Sequence, residues 1–269
     1  MENIHIASVI FHAPVSRTDE NIEKMERYVK EAKKQMAKII CFPEMNITGY
    51  STRMDVFPST IIDSEKILQK LTIMARQSDM VILSGFAEMD DAGHIFAAHA
   101  VVKPDGEIGI YRKLYLSPPE RDVFTKASDI PIFEACNIKF GIQLCYDAHF
   151  PELASHMARK GADIIFIPHA SPKGTPEEKY CSWMRHLPAR AYDNSLFIVA
   201  CNQTGNNGAG LDFPGLAMVF DPSGELIAKD ISGREGMVVT ELKLELLEKI
   251  RGHRMRYFLP NRRDDLFPF

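Results

Sequence analysis

The chain has 269 residues, 45% of them hydrophobic and 25% charged, with a formal net charge of −4. That length can bury a substantial core, and the composition is that of an ordinary soluble globular protein, neither disordered nor fibrous. The mildly acidic balance gives no electrostatic case for nucleic acid or a membrane surface as partner, and no apolar stretch approaches the roughly 20 residues of a membrane span.

Met1-Glu2-Asn3-Ile4-His5 lacks the basic-then-apolar order of a secretory signal. Five cysteines, Cys41, Cys136, Cys145, Cys181 and Cys201, are scattered and form no CxxC pair. Together these predict reduced thiols and a cytoplasmic location, without a disulfide framework or a zinc site.

Ile4 to Phe11 reads as a strand. Ile22, Met25, Val29, Ala32 and Met36 then recur at steps of three and four, one face of a helix. Ile39 to Phe42 is a short buried strand stopped by Pro43, a helix is predicted over Ser64 to Arg76, and Val81 to Phe86 is the next strand. Such βαβ units imply a sheet with parallel pairs. From His94 to Ile110 two strands flank Lys103-Pro104-Asp105-Gly106, whose Pro-Asp-Gly is turn chemistry.

The next apolar run, Ile138 to Leu144, delivers Cys145 to the end of a strand, where a side chain is held rigidly yet lifted out of the sheet, as a nucleophile requires. A helix over Glu152 to Lys160, a strand Ile164 to Ile167, a helix around Trp183 to Tyr192 and a strand Leu196 to Cys201 follow. Asp221-Pro222-Ser223-Gly224 then repeats the hairpin device between Leu216 to Phe220 and Glu225 to Ala228. The pattern is α/β, in two similar halves; no Ser/Gly-rich linker separates them, so one domain over 1–269 is expected.

Two further strand ends carry ionisable residues. Glu44 follows Cys41-Phe42-Pro43, and Lys113 follows Ile108-Gly109-Ile110-Tyr111-Arg112. A free thiol is only a few per cent thiolate at neutral pH, so it needs a base beside it or a cation near it. Glu44 could take the thiol proton and return it to a leaving amine, and Lys113 could stabilise the oxyanion of a tetrahedral intermediate.

Phe42-Pro43-Glu44, Tyr111-Arg112-Lys113-Leu114 and Leu144-Cys145-Tyr146-Asp147 with Phe150-Pro151-Glu152, in that order, resemble the Glu-Lys-Cys triad of the carbon-nitrogen hydrolase family, the nitrilase superfamily. The resemblance covers essentially the whole chain. It implies an α-β-β-α four-layer sandwich that assembles as a homodimer or larger homo-oligomer. Residues 254–269, with Asn261-Arg262-Arg263-Asp264-Asp265-Leu266-Phe267, resemble the family's C-terminal tail, which often packs on a neighbouring subunit.

Carried over to this chain, the resemblance makes Cys145 the nucleophile of a thioester intermediate, Glu44 the general base and acid, Lys113 the oxyanion stabiliser, and the Tyr146 backbone N–H a second oxyanion donor. Glu120, in Ser117-Pro118-Pro119-Glu120-Arg121, matches a second family carboxylate that orients the lysine and assists catalysis. Its match is looser, because the family more often has His or an aromatic residue ahead of the proline; the alternative is a surface carboxylate paired with Arg121. Tyr50, Tyr146, His149, His169, Trp183 and Asn202 are the candidate substrate-binding residues.

Tyr146-Asp147 and Pro151-Glu152 look more like the amidase and carbamoylase branches than like true nitrilases, which tend to have Trp-Glu after the nucleophile. The expected reaction is therefore hydrolysis of a linear amide or N-carbamoyl compound, releasing ammonia or an amine. A nitrile substrate and a catalytically silent scaffold are the alternatives. No cofactor is called for.

Three other patterns carry less. Asp147 and His149 lie on the same turn as Cys145 and cannot generally converge with it as a protease triad. His94 and His99, five apart on a strand, face opposite sides and make a poor metal pair. Gly205-Asn206-Asn207-Gly208-Ala209-Gly210 lacks a following Lys-Ser/Thr and reads as a loop, not a phosphate cradle.

Overall fold

The computed structural model describes residues 3–53, 55, 64–263 and 265–266. Strand β1 (Ile4–Ile10) alternates cleanly: Ile4, Ile6 and Ile10 turn one way, Ala7 and Val9 the other. Both faces are apolar because both are covered, as in a parallel sheet with a layer on each side. Helix α1 (Thr18–Lys34) lays Ile22, Met25, Val29 and Ala32 on the second face. Met36 falls beyond the end of that helix and is 68% exposed, so the helical face stops one step earlier than its spacing predicts.

β2 (Ile39–Cys41), α2 (Ser64–Ser78), β3 (Val81–Met89), β4 (Ile95–Val102) and β5 (Ile108–Arg112) complete the first half. The second runs β6 (Phe133–Ala135), β7 (Ile138–Ile142), α3 (Pro151–Arg159), β8 (Ile164–His169), α4 (Pro176–Trp183), α5 (Leu187–Asn194) and β9 (Phe197–Asn202). Then come β10 (Thr204–Asn206), β11 (Asp212–Pro214), β12 (Ala217–Phe220), β13 (Leu226–Asp230), β14 (Gly236–Leu242) and α6 (Glu245–Arg251).

The first sheet has the order β14-β1-β2-β3-β4-β5 and the second β13-β12-β9-β8-β7-β6. Each has three parallel strands at its centre, β1-β2-β3 and β7-β8-β9, flanked by antiparallel ones. One core lies between the first sheet and helices α1 and α2. The other fills the space between the two sheets and continues to α3 and α5. The architecture is an α-β-β-α sandwich.

Two hairpin turns that the sequence marked, at Gly106 and Gly224, use glycines at φ 99° and 80°, backbone that other residues rarely adopt. The predicted helix around Trp183 to Tyr192 is instead two, because the chain breaks at Met184 to His186 before Pro188 enters the first turn of α5. Among the described residues no helix is long and apolar enough to cross a membrane.

The topology brings strand ends together. β2, β7, β8 and β9 all end at one rim, and β5, reversed twice from β3, points the same way. That is where parallel sheets commonly place their sites. The sheets are joined there by a bridge between Phe11 and Gln203 and by the Thr204 N–H donating to Phe11 O at 3.0 Å.

Candidate active site

Glu44 sits in the turn that follows β2, and β3 holds that turn. The Ile47 N–H donates to Gly85 O at 2.9 Å, and Asn46 Oδ1 accepts from the Gly85 N–H at 2.8 Å and from Ser84 Oγ at 3.0 Å. Gly85 is needed for that approach: a Cβ there would run into the Met45 backbone nitrogen. Across the sheet interface Gln203 Nε2 donates to Glu44 O at 2.8 Å, and the Ala170 N–H donates to Glu44 Oε2 at 2.9 Å.

Lys113 follows β5. Alternation along the strand sends Arg112 outward to a two-pronged pair with Glu88 and turns Lys113 inward, where it is 1% exposed. Its Nζ lies 2.7 Å from Glu44 Oε1 and 2.6 Å from Glu120 Oε1. Glu120 closes a single 3₁₀ turn, Pro118–Glu120, and its Oε2 accepts from both the Ser117 N–H and Oγ at 2.7 Å. It is buried and pairs with Lys113, not on the surface with Arg121. Tyr50 Oη donates to Glu120 Oε1 at 3.1 Å, so that hydroxyl is engaged in placing the carboxylate.

Cys145 begins a 3₁₀ turn, Cys145–His149, three residues beyond the end of β7. Its φ of 43° is left-handed, a strained conformation for a residue with a Cβ, typical of the sharp turns that present nucleophiles. Asp147 ties this turn down. Its Oδ2 accepts from the Leu144 N–H at 2.9 Å and from Tyr111 Oη at 2.7 Å, and its Oδ1 from the Tyr115 N–H at 2.8 Å. Asp147 therefore braces the Cys145 loop against the Lys113 strand and takes no part in a protease-like triad.

Electrostatics follow from burial. Loss of water pushes the Glu44 carboxyl up to about 7, with the Lys113 ammonium pulling against it. Burial opposes charge on Lys113 too, but Glu44 and Glu120 together outweigh it and hold the ammonium well above the usual lysine range. Burial likewise opposes charge on Glu120, yet Lys113 and the Ser117 donors keep it below the ordinary carboxylate value. The Cys145 thiol retains some accessible surface, but burial, then Glu44, push it up to about 12.

The remaining candidates surround this group. The Tyr146 ring packs edge-on to His149 and Phe150. His149 is exposed and lies 4.8 Å, ring to ring, from His186. His169, at the end of β8, stacks on Trp183 at 4.1 Å; both rings are buried, and neither nitrogen of His169 has a hydrogen-bond partner among the described residues. Asn202 uses both ends of its amide on the Ser171 main chain, accepting from N–H at 2.9 Å and donating to C=O at 3.1 Å. It shapes the loop after β8 and is not itself open to a ligand.

His94 pairs with Asp90, whereas His99 is buried beside Gly85. Among the described residues no His, Cys, Asp and Glu group could hold a metal. The glycine-rich loop joins β10 to β11, and Asn207 within it donates to Tyr50 O at 2.8 Å.

Residues 6–252 match the carbon-nitrogen hydrolase family profile. The chain belongs to that family. A nitrilase of Pyrococcus abyssi is 30% identical over 268 residues, covering 98% of this chain and 99% of that one. A deaminated glutathione amidase of Synechocystis is 27% identical over 86% of this chain and 89% of its own. The crystal structure of a carbon-nitrogen hydrolase from Helicobacter pylori superposes with a TM-score of 0.86 at 26% identity, over 98% and 97% of the two chains.

Within this hydrolase fold, Asp147, Gln203, Asn46 and Asn207 brace the site. Asp147 belongs to the motif around Cys145, but no local signal marks its bracing role or the other three residues, because each acts through a partner distant in the chain. Helix α4 carries its own start signal: Thr175-Pro176-Glu177-Glu178 is a capping box with proline in the first turn. The Glu178 N–H donates to Thr175 Oγ1 at 3.2 Å, and the Thr175 N–H donates to Glu178 Oε2 at 2.9 Å.

Proposed function

We propose that this carbon-nitrogen hydrolase cleaves a linear amide or N-carbamoyl compound through a thioester on Cys145. The observation that carries the reading is the buried Lys113 ammonium between two carboxylates, beside a strained, partly exposed thiol. Glu44 Oε1 bonds Lys113, and Glu44 is raised enough to exchange a proton near neutral pH.

In the first half-reaction the thiol proton passes to Glu44 as Sγ attacks the amide carbon. The carbonyl π electrons move to oxygen, where Lys113 Nζ and the Tyr146 N–H receive the charge. Loss of such a donor typically costs about 3 to 4 kcal/mol of barrier. Collapse of the tetrahedral intermediate breaks the C–N bond, and Glu44 returns the proton to the departing nitrogen. Water then gives a proton to Glu44, attacks the thioester, and the C–S bond breaks with return of the proton to sulfur. Glu120 is a positioning residue that fixes Lys113.

The test is ammonia release from a panel of linear amides, N-carbamoyl amino acids and nitriles, run beside Cys145→Ala. Turnover of amides or carbamoyl compounds, lost in the variant, is expected. Activity on nitriles alone would favour the nitrilase reading, which the Pyrococcus abyssi relative supports. Equal turnover in Cys145→Ala would remove the nucleophile.

We also read the chain as a homo-oligomer of a reducing, cytoplasmic compartment. The five cysteines, none of them disulfide-bonded, support the compartment. Exposed Tyr192 and Phe258, with rings 5.6 Å apart, support a self-association face near the C-terminal tail. Asp264 and Phe267 of that tail lie outside the described residues.

A further inference from the structure

The glycine-rich loop between β10 and β11 has no part in the proposed reaction, yet it is closely built around one residue. Asn207 is 1% exposed. Its Oδ1 accepts from the Ala209 and Leu211 N–H groups at 2.9 and 3.0 Å, its own N–H donates to Leu211 O at 2.9 Å, and its carbonyl accepts from the Val15 N–H at 2.9 Å. Gly208 and Gly210, at φ 76° and 90°, let the chain fold back on that side chain. The Asn207 Nδ2 reaches out of the loop and donates to Tyr50 O at 2.8 Å.

Tyr50 lies in a stretch without regular structure, so its place is set by what touches it. The hairpin holds it twice: Asn207 takes its carbonyl, and Phe213 on β11 packs edge-on to its buried ring at 6.3 Å. The hydroxyl so placed donates to Glu120 Oε1 at 3.1 Å, the same oxygen that Lys113 Nζ meets at 2.6 Å. Glu120 Oε2 already accepts from the Ser117 N–H and Oγ, each at 2.7 Å. A carboxylate has about four acceptor sites, and these four donors fill them. Glu120 is therefore held against rotation, and the Lys113 ammonium takes a fixed position from it. Without the Tyr50 hydroxyl, Oε1 would keep a single partner, the lysine it has to place.

We propose that the β10–β11 hairpin is a positioning element for catalysis: Asn207 fixes Tyr50, Tyr50 fixes Glu120, and Glu120 fixes the Lys113 ammonium where the oxyanion forms. Tyr50 and Asn207 are positioning residues that act through their neighbours. The proposal rests on the hydrolase reading, which makes Lys113 the oxyanion stabiliser, and adds that the second half of the chain sets the position of this first-half cation.

The experiment measures turnover of butyramide and affinity for butyraldehyde. Attack of Cys145 Sγ on the aldehyde forms a C–S bond, moves the carbonyl π pair to oxygen beside Lys113, and leaves the thiol proton on that oxygen. This tetrahedral adduct reports transition-state contacts, whereas butyramide bound to Cys145→Ala reports the ground state. Tyr50→Phe keeps the ring and removes the hydroxyl. It should lower kcat and aldehyde affinity about tenfold each, with KM and ground-state binding changed by less than about twofold. Asn207→Asp keeps the Oδ1 bonds to Ala209 and Leu211 and removes the donor to Tyr50, and the same losses are expected. The double variant should be no slower than Tyr50→Phe, because the hydroxyl through which Asn207 acts is gone; independent structural damage would multiply.

Thermal denaturation of the same preparations reports folding, and Tyr50→Phe decides by itself if Asn207→Asp does not fold. Wild-type kcat in Tyr50→Phe, or losses that multiply in the double variant, would overturn the relay and leave the hydrolase reading standing. If no linear amide is turned over, the aldehyde decides: affinity lost in Tyr50→Phe keeps the relay and removes the hydrolase reading, whereas affinity unchanged or absent removes both.

Discussion

In the proposed cycle Glu44 acts as base, acid and base again, and a carboxyl of ordinary pKa would be a poor acid at neutral pH. Burial solves this, raising it from 4.5 to about 7. The sign has two consequences. Between pH 4.5 and 7 the native carboxyl holds a proton that the unfolded chain has lost, so this group's contribution to stability falls as pH rises and is least favourable above 7. Catalysis runs the opposite way, because the first step needs the carboxylate. For a working substrate, kcat/KM should fall about tenfold per unit below pH 7 and level off above it. The Cys145 thiol, at about 12, adds no inflection in this range. A profile flat from pH 5.5 to 8, or one that turns near 4.5, would show that Glu44 is not the titrating base.

Elements set the precision of these groups, and β3 illustrates how. The turn bearing Glu44 touches β3 through its backbone, and only a glycine at 85 admits that contact. A Cβ there would clash with the Met45 nitrogen, lie 2.9 Å from His99 Nδ1 and press on the Glu44 carbonyl carbon at 3.2 Å. Gly85→Ala should therefore cost about 1 to 3 kcal/mol by overpacking, lowering Tm by roughly 2 to 4 °C for each kcal/mol. It should also reduce kcat about tenfold or more, since a displacement near 1 Å is enough to spoil alignment. Thermal denaturation and steady-state kinetics on one preparation would decide it, and an unchanged kcat would mean that the turn is held elsewhere. The same strand shows what a sequence can and cannot disclose. Glu44, Lys113 and Cys145 were legible because each follows a buried strand and parallel strands share a rim. The bracing roles of Asp147, Gln203 and Asn46 were not, because they lie in partners 32, 159 and 39 residues away. Strand β14 pairs with β1 from the far end of the chain, and no local pattern predicts such a pairing.

At the scale of the whole molecule, the site exists only where two sheets meet. Glu44, Lys113 and Glu120 come from the first half; Cys145, His169, Asn202 and Gln203 come from the second. The bonds joining them, Ala170 to Glu44 and Gln203 to Glu44, cross the sandwich. Each sheet has helices on its outer face, so the proposed self-association would use those helices. Tyr192 on α5 and Phe258 in the C-terminal segment are 42% and 36% exposed although their rings touch, and Arg256 lies over Tyr192. A paired aromatic surface with an arginine beside it has the make-up of an interface centre. Sedimentation velocity at micromolar concentration should show a species larger than one chain, and Tyr192→Glu with Phe258→Glu should shift it toward the monomer by placing unpaired charge in the contact. A wild type that sediments as a single chain, or a double variant that assembles unchanged, would remove this face as the interface. Because α5 also packs on α3, which leads directly from the Cys145 turn, a monomeric variant is expected to lose part of its turnover as well.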